Sequence, residues 1–130
     1  MNFSLGQQAF SRRTFTREDM RAFAALSAGT TGVPESVPGP LIGALFSYLL
    51  GVKLPGPGTN YLKQSLDFLA AAPVGEELTA SVTVTRLRPE KHLVDLETTC
   101  ETANGTRICQ GRALVYVEDV EQLTMQPAES

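Results

Sequence analysis

The sequence predicts an α+β fold in which an antiparallel sheet wraps around one long buried helix. Three observations predict it. Residues 40–50 are apolar almost all round, which is how a helix covered on every side reads. From Thr59 to Val117 the chain alternates apolar and polar residues in four stretches divided by turn residues, the period of half-covered strands. A fifth alternating stretch, Ala9 to Phe15, lies ahead of the helix. A sheet wrapped round an apolar helix buries both apolar surfaces at once.

The elements follow in chain order. After the Ala9–Phe15 strand, Thr16 reads as a helix N-cap, with Asp19 giving a short-armed capping box. Phe15 and Met20 suit a hydrophobic staple across that cap. Met20, Phe23, Ala24 and Ser27 then line one face of a short helix ending near Gly29. Thr30 to Pro38 has no periodicity and reads as a loop. Gly39 and Pro40 open the apolar helix, and Gly51 suits its stop. Gly43, Ala44 and Ser47 are small and let a neighbour approach closely.

Leu54-Pro55-Gly56-Pro57-Gly58 reads as a rigid turn. The strand Thr59–Phe68 puts Leu62, Gln64, Leu66 and Phe68 on one side. Pro73 to Glu77 is a turn, and Leu78–Leu87 then sets Ala80, Val82 and Val84 on one face. Arg88 to Lys91 turns the chain again. Asn104-Gly105 signals a two-residue type I′ hairpin, which needs positive φ at both central residues. That hairpin puts Val94, Leu96, Thr98 and Cys100 on one side with Cys109, Gly111, Ala113, Val115 and Val117. Cys100 then stands opposite Cys109. A cross-strand disulfide and a pair of small, buried, reduced thiols both stay open. This order, one buried helix ahead of a four-strand run, is the hot-dog arrangement.

At 130 residues the chain is one domain, expected over 1–120, with a polar tail over 121–130. A chain near this size buries roughly two-thirds of its unfolded surface and needs no staples. A net charge of −3 gives no basic face for nucleic acid. The longest apolar stretch is too short for a bilayer, which takes about 20 residues. No signal-peptide pattern opens the chain, so the expected location is cytoplasmic. Two cysteines and a single distant histidine make no metal-ligand set, and no bound cofactor is expected.

Leu54 to Phe68, reading LPGPGTNYLKQSLDF, resembles the MaoC-like hydratases, and among them the short (R)-specific enoyl-CoA hydratases. Pro73 to Ala80 (PVGEELTA) and Phe23 to Ser27 (FAALS) extend the resemblance, which covers most of residues 9–117. It implies a hot-dog domain that pairs as a dimer and takes acyl thioesters of coenzyme A or of a carrier protein. Members of that family carry an Asp, and a His five residues later, after the first helix. The pair activates water for addition to a trans-2-enoyl thioester. Such chemistry needs a base for the water and an acid for the α-carbon. Aligned from Ser27, those positions fall on Gly29 and Pro34, neither of which moves a proton. The excursion that follows is also shorter.

By the same resemblance Gly39 supplies a backbone N–H at the helix N-terminus for the thioester carbonyl. Ser47 and Leu50 line the substrate site. Each also has a plain reading, Gly39 as a cap and Ser47 as a packing residue bonded within its own helix. Glu35 is the sole acid in the replaced loop, a candidate relocated base or a solvated carboxylate. His92, the only histidine, suits a strand end. Asp67 is a weaker acid candidate. Arg86, Arg88, Lys91 and Lys53 are candidate contacts for coenzyme A phosphates, or solvated turn residues. The expected function is therefore acyl-thioester binding without ordinary hydratase activity, alone as a homodimer or as the non-catalytic partner of an intact hydratase subunit. The alternative is a hydratase or thioesterase using a relocated carboxylate such as Glu35. A third reading, with Tyr48 or Phe46 filling the acyl tunnel, has no ligand.

Overall fold

The computed structural model of the chain describes residues 3–26 and 32–117. Strand β1 (Gln8–Thr14) leads to helix α1 (Arg17–Leu26), and helix α2 (Gly39–Tyr48) precedes β2 (Thr59–Phe68). Strands β3 (Glu77–Arg88), β4 (Leu93–Thr102) and β5 (Arg107–Val117) complete a five-stranded sheet. Its order is β1-β3-β4-β5-β2, and every neighbouring pair is antiparallel. The inner face holds Leu78, Ala80, Val82, Val84, Val94, Leu96, Ala113 and Val115, all buried with Ile42, Leu45, Phe46 and Leu49 of the α2 segment. The predicted sheet wrapped on a helix is the observed one.

The start of α1 forms as its residues dictate. The Asp19 carboxylate accepts the Thr16 backbone N–H at 2.8 Å, and the Asp19 N–H donates to the Thr16 hydroxyl at 3.1 Å. Phe15 and Met20 are both buried, closing the staple. The predicted helix end at Gly29 lies outside the described residues.

Four expectations need correction. Helix α2 is not covered on all sides, because Pro40, Ala44, Ser47 and Tyr48 are exposed. Apolar composition reports a wish for burial, and within this single chain only one face of α2 meets the sheet. Gly51 does not stop the helix. The chain continues through a wide helical turn, Leu49–Lys53, closed by the Leu54 N–H on the Leu49 carbonyl and the Gly56 N–H on the Leu50 carbonyl.

In β2 the register slips between Tyr61 and Lys63. A bulge inserts one residue, so Tyr61 joins Gln64, Leu66 and Phe68 on the inner face, while Leu62 sits in the bulge, exposed. The β4–β5 loop is not a two-residue type I′ turn. Asn104 has no positive φ, and only Gly105 does, at 89°. The Thr102 carbonyl accepts the Gly105 N–H, and the Thr102 N–H donates to the Thr106 carbonyl, giving a three-residue loop ended by a left-handed glycine. The Asn104 carboxamide oxygen accepts from the Thr102 and Thr106 hydroxyls and so fixes this alternative. A second slip near Ile108 restores the predicted pairing of Cys100 with Cys109.

Candidate functional site

The α2 N-terminus and the facing strand β2 form the centre of the candidate site. Pro38 is extended, and a proline in the first turn of α2 suits the unpaired start of a helix. No side chain caps this end, so it keeps the amide-rich, electropositive character of a helix N-terminus. Gly39, Gly43 and Ser47 share one face of α2 at a spacing of four. Each meets an inner-face side chain of β2. A Cβ at Gly39 would lie 3.1 Å from the Phe68 ring, and one at Gly43 would lie 3.9 Å from Leu66. Ser47 shares a hydrogen bond with the Tyr61 hydroxyl. Partial burial raises the Tyr61 phenol above its ordinary value, and hydrogen bonds from Ser47 and Gln64 offset part of that rise.

The opposite side of α2 is open. A groove of about 380 Å³ is lined by Ser11, Arg13, Phe15, Leu41, Ala44, Leu45 and Tyr48. A smaller one, about 190 Å³, adjoins it through Arg13, Phe15 and Leu41 and reaches Leu26 near the end of α1. The Arg13 guanidinium stacks over the Phe15 ring, 4.7 Å from its centroid.

The remaining predicted residues divide by face. Leu50 is buried in the core, as is Phe46, whereas Tyr48 is half-exposed on the groove. Ser47 is exposed, and its hydroxyl reaches the Tyr61 phenol on β2. Glu35 is exposed in the loop before α2, four residues from Gly39, and forms no recorded hydrogen bond or ion pair among the described residues. Pro34 is half-buried beside it, and Gly29 lies outside the described residues. Asp67 points to the outer face of the sheet with Ser65, Arg107, Gln110 and Arg112, away from α2.

The cations are equally dispersed. Arg88 is held by Asp95 at 2.7 Å. Arg86 lies on the outer face among Thr85, Asp95, Glu97 and Arg112. Lys53 donates to the Phe10 carbonyl at 3.0 Å, and Lys91 is exposed on the β3–β4 turn. His92, at the same strand end, has its Nδ1 3.2 Å from the Val117 carbonyl and stacks on Tyr116. None of these groups meets α2. The described residues hold no cluster of three metal-ligating side chains, and no described helix is long and apolar enough to cross a membrane.

Sequence reasoning missed Tyr61, because the bulge that turns it inward leaves no compositional mark. It also missed the contact of Phe68 with Gly39, which needs the packing of α2 on β2.

No family model matches the chain. An (R)-specific enoyl-CoA hydratase of Rhodospirillum rubrum is 39 % identical to it over 125 residues, 86 % of each chain. The (R)-specific enoyl-CoA hydratase of Aeromonas caviae is 39 % identical over 127 residues, 88 % of this chain and 95 % of that one. Among solved structures, an (R)-hydratase from A. caviae involved in PHA biosynthesis superposes with a TM-score of 0.81 at 37 % identity, over 88 % of this chain and 97 % of that one. Identity at this level over most of the chain, on a matching hot-dog fold, shows that the chain belongs to the (R)-specific enoyl-CoA hydratase family of MaoC-like proteins.

Proposed function

We propose that this protein binds acyl thioesters, of coenzyme A or of an acyl-carrier protein, without ordinary hydratase turnover. The observation that carries the reading is where the proton-transferring side chains lie. The one histidine, His92, is spent at a strand end on the Val117 carbonyl. No aspartate occurs between Asp19 and Asp67, and Asp67 faces the outside of the sheet. The resemblance puts the base and acid at Gly29 and Pro34. Hydration needs both, and each such group is worth roughly 10²- to 10⁴-fold in rate.

The binding half of the reading uses what remains. Gly39 at the uncapped start of α2 would polarise the thioester carbonyl. Ser47 would line the acyl site, with Leu50 acting from the core. The protein acts as a homodimer, or in a hetero-oligomer with an intact hydratase subunit. Supporting this, the edge strand β2 and the residue after it leave Tyr61, Leu62, Phe68 and Leu69 exposed, and an apolar unpaired sheet edge is a ready site for association. The competing reading is a hydratase or thioesterase working through Glu35, favoured by its position in the loop leading into α2.

Purified protein mixed with crotonyl-CoA tests this, with loss of the enoyl absorbance and thermal shift followed in the same samples. Stabilisation without turnover is the expected result. Hydration that disappears in Glu35→Gln would overturn the non-catalytic reading and identify the base. Light scattering, with and without an intact hydratase, reads the assembly.

A further inference from the structure

Cys100 and Cys109 are directly opposed on β4 and β5. Both are wholly buried, and both thiols are free. Opposed residues of an antiparallel pair project to the same side, with Cβ atoms about 4.5–5.5 Å apart. A disulfide needs about 3.5–4.5 Å, so a small approach of two side chains already aligned is sufficient. The register that aligns them depends on the slip at Ile108, since the three-residue loop alone would pair Cys100 with Ile108.

We propose that Cys100 and Cys109 form a reversible intramolecular redox pair, oxidised by exchange with a small disulfide such as glutathione disulfide. One cysteine thiolate attacks the glutathione disulfide, forms a mixed disulfide and releases one glutathione thiolate. The second cysteine thiolate attacks the protein sulfur of that mixed disulfide and releases the other glutathione. The two protein thiols lose two protons and two electrons in all, and one glutathione disulfide becomes two glutathiones.

The surroundings set the kinetics. Burial, with the neighbouring Cys109 and Glu101, pushes the Cys100 thiol up to about 11, and burial with Asp67 raises Cys109. The first attack is therefore slow and passes through opening of the hairpin, whose loop residues 103–105 are exposed. The second is intramolecular and fast. Oxidation would also reach the candidate site, because Cys109 pairs with Phe68, whose ring lies on Gly39. The inference is independent of any thioester ligand.

The folded protein is incubated with glutathione disulfide, quenched in acid, alkylated and weighed intact. The expected product is lighter by about 2 Da, carries no glutathione or alkyl adduct, and reverts with dithiothreitol. Peptide mapping then recovers a Cys100–Cys109 cross-link, and the melting temperature rises by roughly 5 °C or more, because closing the loop restricts the unfolded chain. Cys100→Ala and Cys109→Ala each stop at a single mixed disulfide. A stable glutathione adduct on the unsubstituted protein, a covalent dimer, or resistance to oxidation in the folded state with ready oxidation in urea would overturn the proposal.

Discussion

Gly111→Ala should be the most damaging single methyl group in this protein. Gly111 on β5 pairs with Leu66 on β2. A Cβ there would penetrate the Ser65 carbonyl oxygen and lie 2.9 Å from its carbon and 3.1 Å from the Leu66 Cα. Carbon atoms at ease sit about 3.5–4.0 Å apart. The atoms in the way are backbone, so no rotamer relieves the clash, and β2 has to move off β5 by about 1 Å. Ladder bonds stretched that far pass about 3.5 Å and cease to count. Losing about two of them, at roughly 1 kcal/mol each, adds to an overpacking cost of about 1–3 kcal/mol. The expected loss is about 3–5 kcal/mol in urea denaturation. Gly51→Ala is the control, because nothing lies within 4 Å of its added Cβ and its φ is not positive. It should change stability by less than about 1 kcal/mol. A Gly111→Ala protein within about 0.5 kcal/mol of the parent, with an unchanged m-value, would refute the close β2–β5 approach. It would also refute the placement of Phe68, Leu66 and Tyr61 against α2 that depends on it.

Other perturbations separate further parts of the account. Tyr61→Phe deletes the bond to Ser47 and should cost about 1 kcal/mol, while removing the phenol that titrates above its ordinary value from the ultraviolet pH profile. Cys100 binds its proton more tightly folded than unfolded, so stability is intact below about pH 9 and falls through about pH 11. The difference between parent and Cys100→Ala across that window, up to about 3 kcal/mol, should appear in melts against pH. Asp19 is held below the usual carboxylate range by the Thr16 N–H and hydroxyl and by Arg13. Its contribution is present above about pH 4 and is lost as pH falls through the folded value, and Asp19→Asn should flatten that acid limb of the melting profile. Thr16→Ala should cost about 1 kcal/mol by uncapping α1.

Periodicity carried the architecture well, because strand and helix spacing follow directly from which side chains need cover. Ala80, Val82 and Val84 alternate inward as read, and Thr16 with Asp19 caps α1 as read. What periodicity cannot carry is a one-residue insertion. The β2 bulge exchanged Leu62 for Tyr61 on the inner face without changing composition. In the hairpin, a longer loop and a compensating slip left Cys100 opposite Cys109, so the pairing was right while the turn was not. The exposed face of α2 was illegible for another reason. Ala44 and Tyr48 read as buried because sequence does not say whether cover comes from the same chain, another chain or a ligand. Within the site, Gly43, Ala44 and Ser47 were legible as small residues that let a neighbour approach, but that Gly43 and Ser47 face β2 with Gly39 while Ala44 faces the open groove required the packed structure.

Fold and chemistry are encoded in separable parts of this chain. The scaffold is distributed over dozens of apolar positions in α2 and the five strands, so likeness to hydratases survives many changes. By the resemblance, the chemistry of the family rests on two side chains in a short loop, at positions that align here with Gly29 and Pro34. Two proton-transfer groups at roughly 10²- to 10⁴-fold each amount to about 5–11 kcal/mol of barrier if their effects multiply. On the proposed reading, thioester affinity would draw instead on apolar contact and on the helix N-terminus, neither of which passes through that pair. A carboxylate restoring the rate from Glu35 would have to be held against the reacting atoms. In this structure it is exposed and without a recorded partner among the described residues. Affinity without turnover, as proposed, is thus the outcome that would account both for the scaffold and for the residues at the aligned loop positions.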